Sequence, residues 1–92
     1  MANMSSITLS YCQEASIQSS GDILINGKGL YSTDMYAVIS IKFLNKQLVC
    51  RGGVLKAGEF INASVVDSEA GAHNVLEVFG KKGIVTIEKL VL

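Results

Sequence analysis

Proline is absent from this chain, tryptophan is absent too, and there are only one histidine and two cysteines. Each shortage excludes something. Without proline every peptide unit keeps its N–H, which suits a fold whose strands need donors along their whole length. One histidine, His73, leaves a Ser-His-Asp or Cys-His nucleophile system with a single candidate base, and no Gly-x-Ser-x-Gly turn accompanies it. Two thiols, Cys12 and Cys50, make no disulfide framework, and neither has a partner at metal-ligand spacing. Excess charge of either sign is missing as well: Lys and Arg number 8, Asp and Glu number 8. That balance disfavours a nucleic-acid binder, which draws affinity from clustered cations, and equally a basic membrane-surface module. It also weakens repulsion between copies, so self-association is expected. No run approaches the roughly eighteen apolar residues of a membrane span. Met1 to Ile7 has neither the charged nor the apolar region of a signal peptide, so a cytoplasmic location with reduced thiols is expected.

What is present is a short apolar alternation, repeated. Few windows carry a helical stripe, and the apolar set is rich in β-branched residues. Runs such as Ile7-Thr8-Leu9, Ile23-Leu24-Ile25, Ser40-Ile41-Lys42-Phe43, Val75-Leu76-Glu77-Val78 and Ile84-Val85-Thr86-Ile87 alternate with Gly, Asn, Asp and Ser, the residues that turn a chain. The stretch Ile17-x-Ser19-x-x-x-Ile23-x-Ile25 returns as Met35-x-Ala37-x-x-x-Ile41-x-Phe43 and as Leu55-x-Ala57-x-x-x-Ile61-x-Ala63. A looser fourth copy starts at Leu76-x-Val78 and resumes at Ile84-x-Thr86, two residues later than in the other copies. A unit of about twenty residues that recurs marks a solenoid.

Residues 1–92 therefore read as a single domain, an all-β parallel β-helix of about four coils with 18–21 residues per coil. Stacked positions share an environment, so residues one coil apart should share a type. Ile23, Ile41 and Ile61 are expected as an inward ladder, and Ser19, Ala37 and Ala57 as a column of small residues. Asn26, Asn45 and Ser64 are expected at a polar corner, and Cys12, Leu30 and Leu48 along another side. A competing reading folds the same strands into antiparallel hairpins turning at Asn26-Gly27, Gly52-Gly53 and Gly80-Lys81-Lys82-Gly83. It offers no reason for the ladders. A coil cannot stand alone against its ordering entropy; stacking is what stabilises it. Met1 to Leu9 is expected to cap the first coil. The apolar ending Leu90-Val91-Leu92 leaves the last one open to a partner chain.

No catalytic, cofactor-binding or metal site is nominated. His73 reads as a loop residue. The carboxylates Glu14, Asp22, Asp34, Glu59, Asp67, Glu69, Glu77 and Glu88 are scattered, and no pair stands out for acid–base work. Gly27-Lys28-Gly29 and Arg51-Gly52-Gly53 lack the rest of a phosphate loop and read as tight corners. Asn62-Ala63-Ser64 matches a glycosylation sequon without a secretory context. Lys81-Lys82 reads as a solvated loop tip. Three of the six aromatic residues (Tyr11, Tyr31, Tyr36, Phe43, Phe60, Phe79) are expected in the core.

The segment from Glu14 to Gly29 (Glu-Ala-Ser-Ile-Gln-Ser-Ser-Gly-Asp-Ile-Leu-Ile-Asn-Gly-Lys-Gly), followed by Cys50-Arg51-Gly52-Gly53-Val54-Leu55-Lys56-Ala57-Gly58 and Val65-Val66-Asp67-Ser68-Glu69-Ala70-Gly71, resembles the β-helical core of the bacterial flagellar assembly protein A family. The likeness covers roughly residues 12 to 88. It departs at Val38-Ile39-Ser40, where a glycine turn is usual, and it omits the family's N-terminal region and following coiled coil. The resemblance implies a right-handed single-stranded β-helix in a cytoplasmic bacterial protein that acts through protein–protein contacts in flagellar assembly, with no catalytic residues to carry over. The C-terminal domain of the septum-site protein MinC and the filament-forming bactofilins look similar in architecture. The expected function is that of a non-catalytic scaffold that binds protein, itself included. A carbohydrate-binding or carbohydrate-active β-helix is the alternative.

Overall fold

The computed structural model describes residues 6–68 and 73–91. The described residues form ten strands and no helix. They are β1 (Ile7–Gln13), β2 (Ser16–Ser19), β3 (Asp22–Tyr31), β4 (Asp34–Ala37), β5 (Ser40–Phe43), β6 (Val49–Arg51), β7 (Gly53–Ala57), β8 (Phe60–Asp67), β9 (Asn74–Val78) and β10 (Ile84–Val91). Every pairing is parallel. One sheet runs β1-β3-β5-β8-β10, with β6, like β5, pairing β3 on one side and β8 on the other; the second runs β2-β4-β7-β9. The chain passes from one sheet to the other and back at each turn, so the fold is a parallel β-solenoid of about four coils. The antiparallel reading fails at its strongest signal, because Asn26-Gly27 lies inside β3.

The repeat works because stacked positions are bonded partners. Ile23 pairs with Ile41 and Ile41 with Ile61, and all three are fully buried. Ser19, Ala37 and Ala57 form the small column, which Val78 extends. Ile17, Met35, Leu55 and Leu76 stack in the same sheet. Parallel strands lie about 4.8 Å apart, so each column is a run of aliphatic groups in van der Waals contact.

Two ladders differ from expectation, for one reason: a residue added at a corner shifts the register downstream. Leu30 stacks between Cys12 and Cys50, not under Leu48. The extra residues sit in the turn at Asn45, whose side-chain Oδ1 accepts from the Gln47 N–H and whose carbonyl accepts from the Leu48 N–H. Leu48 is still buried. The polar corner is realised in pieces: Ser64 Oγ donates to the Asn45 carbonyl at 2.8 Å, and Ser10 Oγ donates to Asn26 Oδ1 at 3.3 Å. In the fourth copy the inward column passes from Ile61 to Val85, whereas Ile84 lies opposite Phe60 and is 63% exposed. The connection at Gly80-Lys81-Lys82-Gly83 is thus one residue longer than the pattern suggests. Of the aromatics, only Phe43 is buried.

Corners continue the ladder. At the turns after β4, β7 and β9, Val38 N–H donates to the Ser19 carbonyl, Gly58 N–H to that of Ala37, and Phe79 N–H to that of Ala57. Val38 fits here because the position does not require positive φ. The opposite corner does. Glu14 (φ 50°), Ser32 (φ 49°) and Gly52 (φ 80°) stack there in the left-handed region. Glu14 N–H and Ser32 N–H donate to the carbonyls of Tyr31 and Arg51 in the next coil. At the top of this column the Asn74 side chain takes over the backbone's role. Its Oδ1 accepts from Gly52 N–H at 2.8 Å, and its Nδ2 donates to the Asp67 carbonyl at 2.8 Å and to Ser68 Oγ at 3.2 Å.

Ile7 to Leu9, expected as part of a cap, belong to β1, the first rung of the larger sheet; Met1 to Ser5 lie outside the described residues. Glu69 to Ala72 and Leu92 also lie outside them.

Candidate interaction surface

β10 is where the columns emerge. It repeats β8 one coil on, so Val85 continues the Ile61 column, Ile87 that of Ala63, and Leu90 that of Val66. One coil below, these positions are buried. On β10 they are exposed: Val85 37%, Ile87 37% and Leu90 52%. Among the described residues no strand pairs with the outer edge of β10 or of β9. The upper end of the solenoid therefore combines inward-type aliphatic side chains that water solvates poorly with a row of backbone N–H and C=O groups aligned to take another strand.

An apolar strip leads away from this end. The Tyr36 and Phe79 rings stack with centroids 5.3 Å apart and planes 11° apart. Both are exposed, as is Val38 at the same corner. Glycines give this corner its shape: a Cβ on Gly58 would lie 2.0 Å from the Val38 carbonyl oxygen, and one on Gly80 2.3 Å from that of Gly58.

The residues weighed for chemistry do not converge. His73 is exposed, and its carbonyl accepts from Gly53 N–H at 3.0 Å. Asp22 is bonded to Ser40 Oγ, and Asp34 Oδ1 accepts from Val54 N–H at 3.1 Å. Asp67 is buried, and Arg51 binds its Oδ2 through Nη2 at 2.5 Å and Nε at 3.1 Å. Glu69 falls outside the described residues. Lys81 and Lys82 are exposed on the turn before β10, Asn62 is exposed on β8, and Gly27-Lys28-Gly29 lies within β3. Among the described residues no three of His, Cys, Asp and Glu come together as a metal would require. Cys12 and Cys50 are free and buried, two rungs apart on the Leu30 column. Burial raises both thiols, that of Cys50 to about 11.

A hollow of about 280 Å³ lies on the outer face of the smaller sheet, between Ser16, Gln18, Asp34, Tyr36, Val54 and Lys56. It brings one exposed aromatic ring beside polar side chains from three coils. No helix among the described residues is long and apolar enough to cross a membrane. The open end and the corner strip were only partly legible in the sequence. The apolar finish of the chain pointed to the end, but the exposure of the strip depends on which residues share a corner. Comparison with protein-family models, curated proteins and solved structures finds no match to this chain.

Proposed function

We propose that this chain is a non-catalytic scaffold that binds protein through the open upper end of its solenoid, with a second copy of itself among its partners. The supporting observation is that Val85, Ile87 and Leu90, whose equivalents one coil below are buried, are partly bare on an edge strand. Burying a Val or Leu side chain contributes about 1.5–3 kcal/mol, so covering three of them, together with new strand hydrogen bonds, drives association. The zero net charge offers little long-range opposition. The resemblance to the flagellar assembly protein A family adds a cytoplasmic scaffold role in a bacterium to this proposal. Light scattering across a concentration series tests it. Dimers or larger species should form and should be lost in Val85→Lys while the melting temperature is kept. A strict monomer at high concentration refutes self-association.

A second reading, carbohydrate binding, draws on Tyr36 beside the hollow, where a sugar ring could stack on the aromatic face while Gln18, Asp34 and Lys56 bond its hydroxyls. Titration with a panel of oligosaccharides tests it: Tyr36→Ala should abolish any binding found.

A further inference from the structure

We infer that two copies join through their β10 strands in antiparallel register, with Val85 opposite Leu90 of the second copy and Thr86 opposite its Lys89. This rests on the reading that the open end binds protein, and it specifies how.

The ground is a symmetry in β10 itself. Along Ile84–Val91 the inward positions are 85, 87 and 90, because those three continue the columns of Ile61, Ala63 and Val66. The alternation slips once, between Ile87 and Leu90, as it does one coil below in β8, where Ala63 and Ser64 are both buried and Ser64 Oγ bonds the Asn45 carbonyl. The slip makes the strand nearly its own mirror about the Ile87–Glu88 bond. Reversed and laid against itself, Val85 meets Leu90, both inward. Thr86 meets Lys89, both outward, and Ile84 meets Val91. A strand with unbroken alternation and eight residues would set inward against outward at every such pair, since antiparallel partners must share a face. A two-fold axis through this point gives an isologous, closed contact.

Head-to-tail stacking is the rival. It would set Thr86 opposite Thr8, because Thr8, Leu24, Lys42, Asn62 and Thr86 occupy one column. It is also heterologous, so each added copy leaves another bare end, whereas the two-fold contact closes.

Cysteine pairing separates the two. Thr86→Cys, Lys89→Cys and Thr8→Cys are made singly in the 92-residue chain, mixed in pairs at a concentration where light scattering shows dimers, and oxidised. The buried native thiols give the background. The expected result is a disulfide-linked dimer in the Thr86→Cys and Lys89→Cys mixture, several-fold above either variant alone. Linkage between Thr8→Cys and Thr86→Cys overturns the register in favour of head-to-tail stacking. Dimers that link in neither mixture overturn it too, leaving self-association standing. A monomer throughout refutes both proposals.

Discussion

Truncating Ile41 tests the stacked columns most directly. Its side chain is fully buried between Ile23 and Ile61. Removing one methyl group in Ile41→Val costs about 0.5–1.5 kcal/mol, and Ile41→Ala, which leaves a cavity the flanking rungs cannot close, costs about 2–5 kcal/mol. For a domain of this size each kcal/mol moves Tm by about 4–8 °C, so Ile41→Ala should melt on the order of 10–30 °C below the parent. Ile41→Asp places a carboxylate where no cation can reach it. Its cost should consume a total stability of about 5–14 kcal/mol, leaving no cooperative transition. Val85, at the open end of the same column, is the internal control: Val85→Ala should cost about 1 kcal/mol or less, because the side chain is already partly in water. Thermal melts followed by circular dichroism, at concentrations low enough to keep the chain monomeric, measure all four. A near-parental melt for Ile41→Asp, or an equal loss for Val85→Ala and Ile41→Ala, would refute the columns.

The left-handed corner makes a prediction of opposite sign. Ser32→Gly should raise stability by up to about 1 kcal/mol in denaturant titrations, because glycine occupies φ 49° without the Cβ clash that serine tolerates there. Gly53→Ala should lower it by more than about 2 kcal/mol, since its φ is 114° and its Cβ would fall 2.2 Å from the Thr33 carbonyl oxygen. Asn74→Ala should cost about 1–3 kcal/mol by leaving Gly52 N–H and the Asp67 carbonyl without their side-chain partner. Cys50 has a folded-state pKa raised to about 11, so its neutral thiol contributes stability that is complete below pH 9 and lost as pH rises from 9 to 11. Denaturation midpoints should therefore fall by the equivalent of about 2–3 kcal/mol across that window in the parent relative to Cys50→Val, and equal alkaline losses in both would refute the burial.

The solenoid itself was legible in the sequence, because a stacked coil repeats its chemistry at each rung. Ile23, Ile41 and Ile61 announce an interior that only parallel stacking explains, and the absence of proline agrees with strands bonded on both sides. What the sequence could not supply was register wherever a corner changes length. The turn at Asn45 moved Cys50, not Leu48, onto the Leu30 column, and one residue before β10 exchanged Ile84 for Val85. A one-residue slip reverses which side faces the core, and only the three-dimensional course of each corner decides it. Glu14 and Ser32 in the left-handed column carried no glycine to announce them. The open end had the same divided origin. Its apolar composition was visible along the chain, but which aliphatic groups were left uncovered depended on β10 having no second-sheet strand above β9 among the described residues.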